Sequence, residues 1–418
     1  MRNSVSRLTI VCFAAFLVAA LTGAAFGQVP TGGVRGTVID PNKAAIKGAT
    51  VSIKNTATSA ERRTTTGTDG DFLIENLLPG EYEVKIIANG FKTNLATVTV
   101  IVGSTLTGEY SLEIGSQSET VVVSGDTSAS VNTTDNKVDG VVTRQQIDNL
   151  PLNGRNFLQL ASLQPGVRVS TASPGDANNL FNVSINGGNS DLTRLTVDGG
   201  SVVDYVTGSA GQNFSVETVQ EFQISSSNFD LSTGVTSVGA INIVSRTGSN
   251  DYHGSAFAYY RDRKLGAYPV LVRDPLNKDP FFRRLQGGGY LSGPIKKDKA
   301  FWFFNIEHLN QDSTFSTDNR GYQLAPGIQP LTQFNAVTLS PYNGLLTNAR
   351  VDWTPRAKHS LFLRYSGDKN DVFAPVDGNT LPSNWRVNRN DSYQGQGGWT
   401  WVATSKAIND LRFNWHYV

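Results

Sequence analysis

Four histidines, one cysteine and scattered carboxylates are what this 418-residue chain offers for acid–base, nucleophilic or metal chemistry. His253, His308, His359 and His416 all lie beyond residue 250, and none belongs to an HExxH or HxxE pair. Zinc hydrolysis needs clustered ligands and a nearby base, so that chemistry is not expected. The single cysteine, Cys12, and the single methionine, Met1, both fall at the N-terminus. Asp69-Gly70-Asp71 has the residue types of a calcium loop but reads better as a turn between strands. SINGGN lacks the Lys-Ser/Thr of a phosphate loop, and no GxGxxG occurs. Asn182-Val183-Ser184 matches a glycosylation acceptor only as a pattern. The residues therefore predict no catalytic group, no metal and no cofactor.

What remains is chemistry of the main chain. In ETVVVSG, residues 119–125, Thr120, Val121, Val122 and Val123 are strong strand formers stopped by Gly125. A polar run, DTSASVNTTDN, follows, and no strand partner is in view. Such a segment can add to the edge of another protein's sheet, with main-chain hydrogen bonds for grip and alternate side chains for register. It can equally close the preceding module as its last strand, or serve as a linker.

Composition sets the frame for these residues. Glycine is frequent at 41, and charged residues make up only 17% of the chain, which suits a turn-rich β protein. The net charge is +1, and nothing suggests the clustered basic surface of a nucleic-acid partner. MRNSVSR followed by the apolar run Leu8–Leu21 and Ala25-Phe26-Gly27 reads as a secretory signal peptide over 1–27, cleaved before Gln28. Without Arg2 and Arg7 the balance is 34 basic against 35 acidic residues. The apolar run is shorter than the ~20 residues of a membrane-spanning helix.

VRGTVID, ATVSIKN, DFLIENL, GEYEVKIIANG, LATVTVIVG and LTGEYSLEI are short strands separated by Gly/Pro/Asn/Asp turns, as in a sandwich. GTVIDPNKAAIKGATVSIKN and TGTDGDFLIENLLPGEYEVKIIANGFK resemble the carboxypeptidase regulatory-like domain, a transthyretin-like β-sandwich. The resemblance is to an accessory domain and implies no peptidase activity. It predicts a sandwich over 30–115.

After Asn136 the pattern changes. Thr143-Arg144-Gln145-Gln146 matches a capping box opening a short helix that Pro151 ends, and NFLQLASLQPG predicts a second helix. The strands FNVSING, LTRLTVDGGSVV, VQEFQIS and GAINIVSRTG follow. LPLNGRNFLQLASLQPGV, SINGGNSDLTRLTVDGGSV and VETVQEFQISSSNFDLSTGVTSVGAINIVSRTGSN, in that order, resemble the plug domain of TonB-dependent outer-membrane receptors. The resemblance is to the Oar-like branch, which carries a regulatory-like sandwich in front. It implies a small α+β plug over 137–250 and a linker over 116–136. Within that linker Glu119, Thr120, Val121, Val122 and Val123 look like the TonB box. It also implies substrate contacts in the plug loops Ile185–Ser190 and Asp198–Val203, with Asn186, Asn189, Asp198 and Ser201 as candidates.

From residue 251 aromatic residues alternate with polar ones. Leu411, Phe413, Trp415 and Tyr417 alternate with Arg412, Asn414 and His416. Leu361, Leu363 and Tyr365 alternate with Phe362, Arg364 and Ser366. An aromatic-rich outer face with alternately short and long connections fits a transmembrane β-barrel. Strands are expected at about 253–261, 284–292, 300–309, 348–354, 360–366, 393–403 and 410–418. The intervening polar stretches, 262–282, 309–345 and 367–391, are expected as long loops. Seven strands cannot close where plugged transporters use about 22. The expectation is thus the first strands of an incomplete barrel, in the N-terminal part of a longer receptor.

The fold class expected is mainly β: sandwich, plug, then partial barrel over 251–418. The function implied is binding and TonB-driven import of an unidentified substrate across the outer membrane of a Gram-negative-type bacterium. Import against export stays open. The partners implied are TonB with its inner-membrane energising complex, outer-membrane lipid and the substrate, carbohydrate being one possibility. The alternative is a secreted or surface β-sandwich protein that binds glycan or peptide.

Overall fold

The computed structural model describes residues 31–116, 120–123, 138–171, 181–204, 210–227, 238–268, 274, 277–317, 336–374, 382–404 and 407–418. The leader 1–27 and Glu119 lie outside the described residues.

The first unit holds β1 (Gly32–Ile39), β2 (Thr50–Asn55), β3 (Glu61–Thr65), β4 (Asp71–Leu77), β5 (Gly80–Ile87), β6 (Thr93–Val100), β7 (Thr105–Ser111) and β8 (Thr120–Val123). They form two sheets, β4-β1-β7 and β3-β2-β5-β6-β8. Val34, Val38, Phe72 and Leu106 from one sheet meet Val51, Ile53, Val84 and Val98 from the other in a single core. Period-two alternation builds it: in β2, Val51 and Ile53 are buried while Lys54 is exposed. Asp69-Gly70-Asp71 is a turn, with Gly70 at a φ of +71° that favours glycine.

Two strands depart from the sequence expectation. β3, Glu-Arg-Arg-Thr-Thr, has no apolar alternation because it is a sheet edge. β8 has a partner after all. It pairs parallel to β6, from Thr93 opposite Thr120 to Ala96 opposite Val123.

The second unit contains β9 (Val138–Val142), α1 (Arg144–Asn149), β10 (Val167–Thr171), β11 (Phe181–Ile185), β12 (Thr193–Val197), β13 (Gly200–Ser201), β14 (Val219–Ser227) and β15 (Gly239–Ser245). Five strands make a mixed sheet ordered β13-β12-β15-β14-β9, and β10-β11 form a hairpin. At the start of α1 the Gln146 side chain accepts from the Thr143 N–H at 3.0 Å, as a capping box requires. The second expected helix is a 3-10 helix, Phe157–Leu163, capped by Asn156. It buries Phe157, Leu158, Leu160 and Ala161 in a core shared with Phe222, Ile224, Ile241 and Ile243.

The third unit is one antiparallel meander of seven strands in chain order. These are β16 (His253–Asp262), β17 (Phe282–Lys296), β18 (Ala300–Thr317), β19 (Ala336–Arg356), β20 (His359–Ala374), β21 (Arg386–Thr404) and β22 (Ala407–Tyr417). All seven expected strands occur, but β18–β21 run well into the stretches expected as loops. Those extensions are mostly polar, and the one short alternation in them, Val337 and Leu339 in β19, is interrupted by Pro341. One face of the sheet is apolar and open: Leu363 and Phe413 are each 69% exposed, and Trp399 and Trp401 stack beside His359. The other face is polar and buried, with Asn305, Glu307, Arg350, Arg364, Ser366 and Asp368. Among the described residues no helix is long and apolar enough to cross a membrane, which says nothing of strands.

Candidate functional site

The second unit packs on the buried polar face of the meander, and charged residues make the junction. Asp198 occupies the turn between β12 and β13, at a φ of +48°. Its carboxylate lies 3.1 Å from Arg350 Nη1 on β19 and 3.1 Å from Arg364 Nε on β20. The Ser245 N–H donates to Asp198 Oδ1 at 3.0 Å and the Ser245 hydroxyl to Oδ2 at 2.7 Å. The Asp198 carbonyl accepts from Gln396 Nε2 at 2.7 Å and Arg412 Nη1 at 2.8 Å. Arg350 is also held by Asp352, and Arg364 by Gln394 and Gln396. Burial pushes the Asp198 carboxyl upward. Arg350, Arg364 and the two Ser245 bonds outweigh it and hold the group below the ordinary carboxylate value.

A second cluster lies at the short 3-10 helix Val216–Thr218. Glu217 pairs with Arg155 at 2.7 Å, Arg144 at 3.4 Å and Arg246 at 3.6 Å. Next to it the Ser215 hydroxyl donates to Glu307 on β18, which also accepts from Gln286 on β17 at 2.6 Å. The Arg155 guanidinium sits 3.9 Å from the Phe257 ring centroid, and Arg246 sits 3.9 Å from that of Tyr290. Each arginine thus faces an acid on one side and an aromatic ring of the meander on the other. Further along, the Asn213 N–H donates to Asp368 Oδ2 at 2.9 Å, and Gln212 contacts Ser392 and Ser366.

The four candidate contact residues are not brought together. Asp198 and Ser201 lie at one end of the five-residue β12, and Asn186 and Asn189 lie in the turn at its other end. Asn186 and Asn189 are exposed. The Asn186 amide donates to the Ser226 carbonyl at 3.0 Å, and Asn189 accepts from the Ser190 N–H. Asp198 is only 1% exposed and its carboxylate is engaged by arginines, which makes it a part of the junction. The Ser201 carbonyl accepts from Gln394 and Asn414. Sequence reasoning missed Arg350, Arg364, Ser245 and Glu217. The available signal was the inward phase of the meander strands, where Arg364 and Arg412 alternate with outward apolar residues.

A cavity of about 1030 Å³ opens between the first unit and the short turns of the meander, with Arg62, Glu75, Asp298, Arg350, Thr354 and Arg356 among its lining. Asn250, after β15, joins all three units there. Its N–H donates to the Ala57 carbonyl at 2.9 Å and its side-chain amide to Asp298 Oδ1 at 2.7 Å, while Asp298 N–H donates back to Asn250 Oδ1 at 2.8 Å.

Residues 33–113 match the carboxypeptidase regulatory-like domain family. Residues 244–321 and 318–418 match the outer membrane beta barrel domain family. The chain is 31% identical over 321 residues to the TonB-dependent transporter Oar of Myxococcus xanthus, an alignment covering 72% of this chain and 28% of Oar. The chain therefore spans little more than a quarter of the length of that relative. Among solved structures, the outer membrane transporter YddB of Escherichia coli matches with a TM-score of 0.50 at 16% identity, over 66% of this chain and 38% of YddB. The siderophore receptor PirA of Acinetobacter baumannii matches at 0.48 and 16% identity, over 66% of this chain and 39% of PirA. With a regulatory-like domain in front, an outer membrane beta barrel domain behind and similarity to Oar over 72% of its length, this mainly β chain is a homologue of the Oar-like TonB-dependent receptors of the outer membrane.

Proposed function

We propose that the chain forms the periplasmic sandwich (30–115), the plug (137–250) and a section of the barrel wall (251–418) of a TonB-dependent transporter. In this reading the protein binds a substrate at the cell surface and admits it to the periplasm without covalent chemistry. The observation that carries the reading is the seating of the second unit on the meander. The outward face suits lipid, and the inward face grips the plug through Arg350 and Arg364 on Asp198 and through Glu307 on Ser215 and Arg155 rather than through apolar packing. A plug that must move needs contacts that water can replace, and buried ion pairs and hydrogen bonds meet that need better than an apolar core.

Glu119–Val123, in the linker 116–136, serves as the TonB box. β8 is an edge strand with β6 on one side, and among the described residues nothing pairs with its other side. A strand of TonB adds to that side or takes the place of β6. Asn186 and Asn189 at the exposed turn remain candidate substrate contacts, and the substrate class is open. The test is uptake by intact cells. Deleting 119–123 should abolish energised accumulation and leave surface binding intact, and full uptake by the deletion variant would rule out the assignment.

A further inference from the structure

The first and second units each have their own apolar core, yet they are joined at a small and unusual contact. The turn between β6 and β7, Ile101–Ser104, inserts against β14. The Val102 side chain is fully buried there, and the Val102 N–H donates to the Glu221 carboxylate. Gly103, at a φ of +67°, lies so close to the Gln223 side chain that a Cβ would collide with it. Glu221 itself is 4% exposed. A carboxylate so buried ordinarily has a cationic partner. Among the described residues the groups packed around it bring none: on α1, Arg144 is taken up by Asp148, Glu217 and the Val216 and Val219 carbonyls. Residues 101–104 are Ile-Val-Gly-Ser, β15 is Gly-Ala-Ile-Asn-Ile-Val-Ser, and β14 has no other titratable residue. On β9, the other neighbour of β14, the one titratable residue is Asp139, an acid, paired in register with Ser225.

We propose that Val102 and Glu221 form a releasable clasp that docks the first unit on the second when Glu221 is protonated and lets it go when Glu221 ionises. Asn250 supplies a second docking point that does not titrate, its side-chain amide donating to the Ser59 hydroxyl at 3.4 Å. Burial, opposed only by the Val102 bond, pushes the Glu221 carboxyl up from 4.5 to about 7. The docked form thus holds a proton that the undocked form releases. Docking is strongest below the undocked value and weakens as the pH rises toward about 7. Because each unit keeps its core, release separates them without unfolding either. It would leave the N-terminal unit attached through the chain that contains β8.

The test uses the full-length protein in outer-membrane vesicles. The chain has no cysteine beyond Cys12, so Val102→Cys places a single thiol under the clasp in the mature protein. N-ethylmaleimide labelling is compared in Val102→Cys and in Val102→Cys/Glu221→Gln. The thiol's own ionisation is common to both, so the ratio of rates isolates Glu221. That ratio should rise at least about tenfold from pH 5 to pH 8, in line with a shift of two or more pKa units. Asn250→Ala should speed labelling by a factor independent of pH. A ratio that stays flat overturns the proposal. Should Val102→Cys disturb folding, protection of the Val102 amide against hydrogen exchange in the unaltered protein reads the same event. It should fall over this range beyond the intrinsic rate change, and constant protection overturns the clasp.

Discussion

Asp198 and Arg350 meet at 3.1 Å with side chains 1% and 3% exposed, and Arg364 approaches the same carboxylate at 3.1 Å from the next strand. One acid on the turn β12–β13 is thereby the counter-charge for two buried cations of the meander. Asp198→Asn removes that charge and leaves two guanidinium groups dependent on Asp352, Gln394 and Gln396. The expected cost is about 3–5 kcal/mol, read as a lower urea midpoint for release of the second unit from the wall. A midpoint unchanged from that of the parent would show that the pair contributes nothing.

Acid should loosen the same junction. The folded Asp198 carboxyl is held below its ordinary value of 3.8, so its contribution is present above that value and is lost as the pH falls through the lower, folded value. Tryptophan fluorescence and protease sensitivity followed on acidification should show a transition below about pH 4 that Asp198→Asn removes. An identical transition in the variant would place its origin elsewhere.

Glu217 balances Arg144, Arg155 and Arg246, so its loss should be felt through all three. Glu217→Gln keeps the shape and deletes the charge, at an expected cost of about 3 kcal/mol. Limited proteolysis of the region 138–171 is the readout. Arg246→Gln should cost less, because at 3.6 Å its pairing with Glu217 is the longest of the three.

On the outer face the prediction concerns lipid. Leu363 is 69% exposed in the middle of the meander, and Leu363→Arg should cost about 2–4 kcal/mol if that position lies at bilayer mid-depth. Heat-modifiable gel mobility and recovery in the outer-membrane fraction would report it. Arginine tolerated there without loss would move Leu363 out of the hydrocarbon band.

Proline is incompatible with a hydrogen-bonded strand interior. Val122 stands opposite Leu95 in the β6–β8 pair, so Val122→Pro should weaken both that pairing and any strand that adds beyond it. The expected result is loss of energised uptake with surface binding retained. Uptake at the parental rate would remove β8 from the energy pathway.

Sequence made the strands legible wherever one face is apolar. Val51 and Ile53 in β2, or Leu361 and Leu363 in β20, announce their phase by alternation. β3 stayed hidden because an edge strand of Glu, Arg and Thr has no phase to read. The outer parts of β18–β21 stayed hidden because they are mostly polar, with only the brief alternation of Val337 and Leu339 to read. The junction was legible only in part. Asp198 stood out as a turn residue, but Arg350 is 152 positions away, and no local pattern ties a turn to an inward arginine that far along the chain. The position of Ser245 at the end of β15 follows from the parallel register of β12 on β15, which is a tertiary fact.

The parallel register of β8 on β6 has a mechanical meaning. Its bonds are evenly spaced along four residue pairs, from Thr93–Thr120 to Ala96–Val123. A force along the strand axis loads all of them at once and meets high resistance. A force across the sheet opens them one after another, like a zipper, at far lower load. The direction of a pull, as much as its strength, would then decide whether β8 carries the first unit with it or peels away alone.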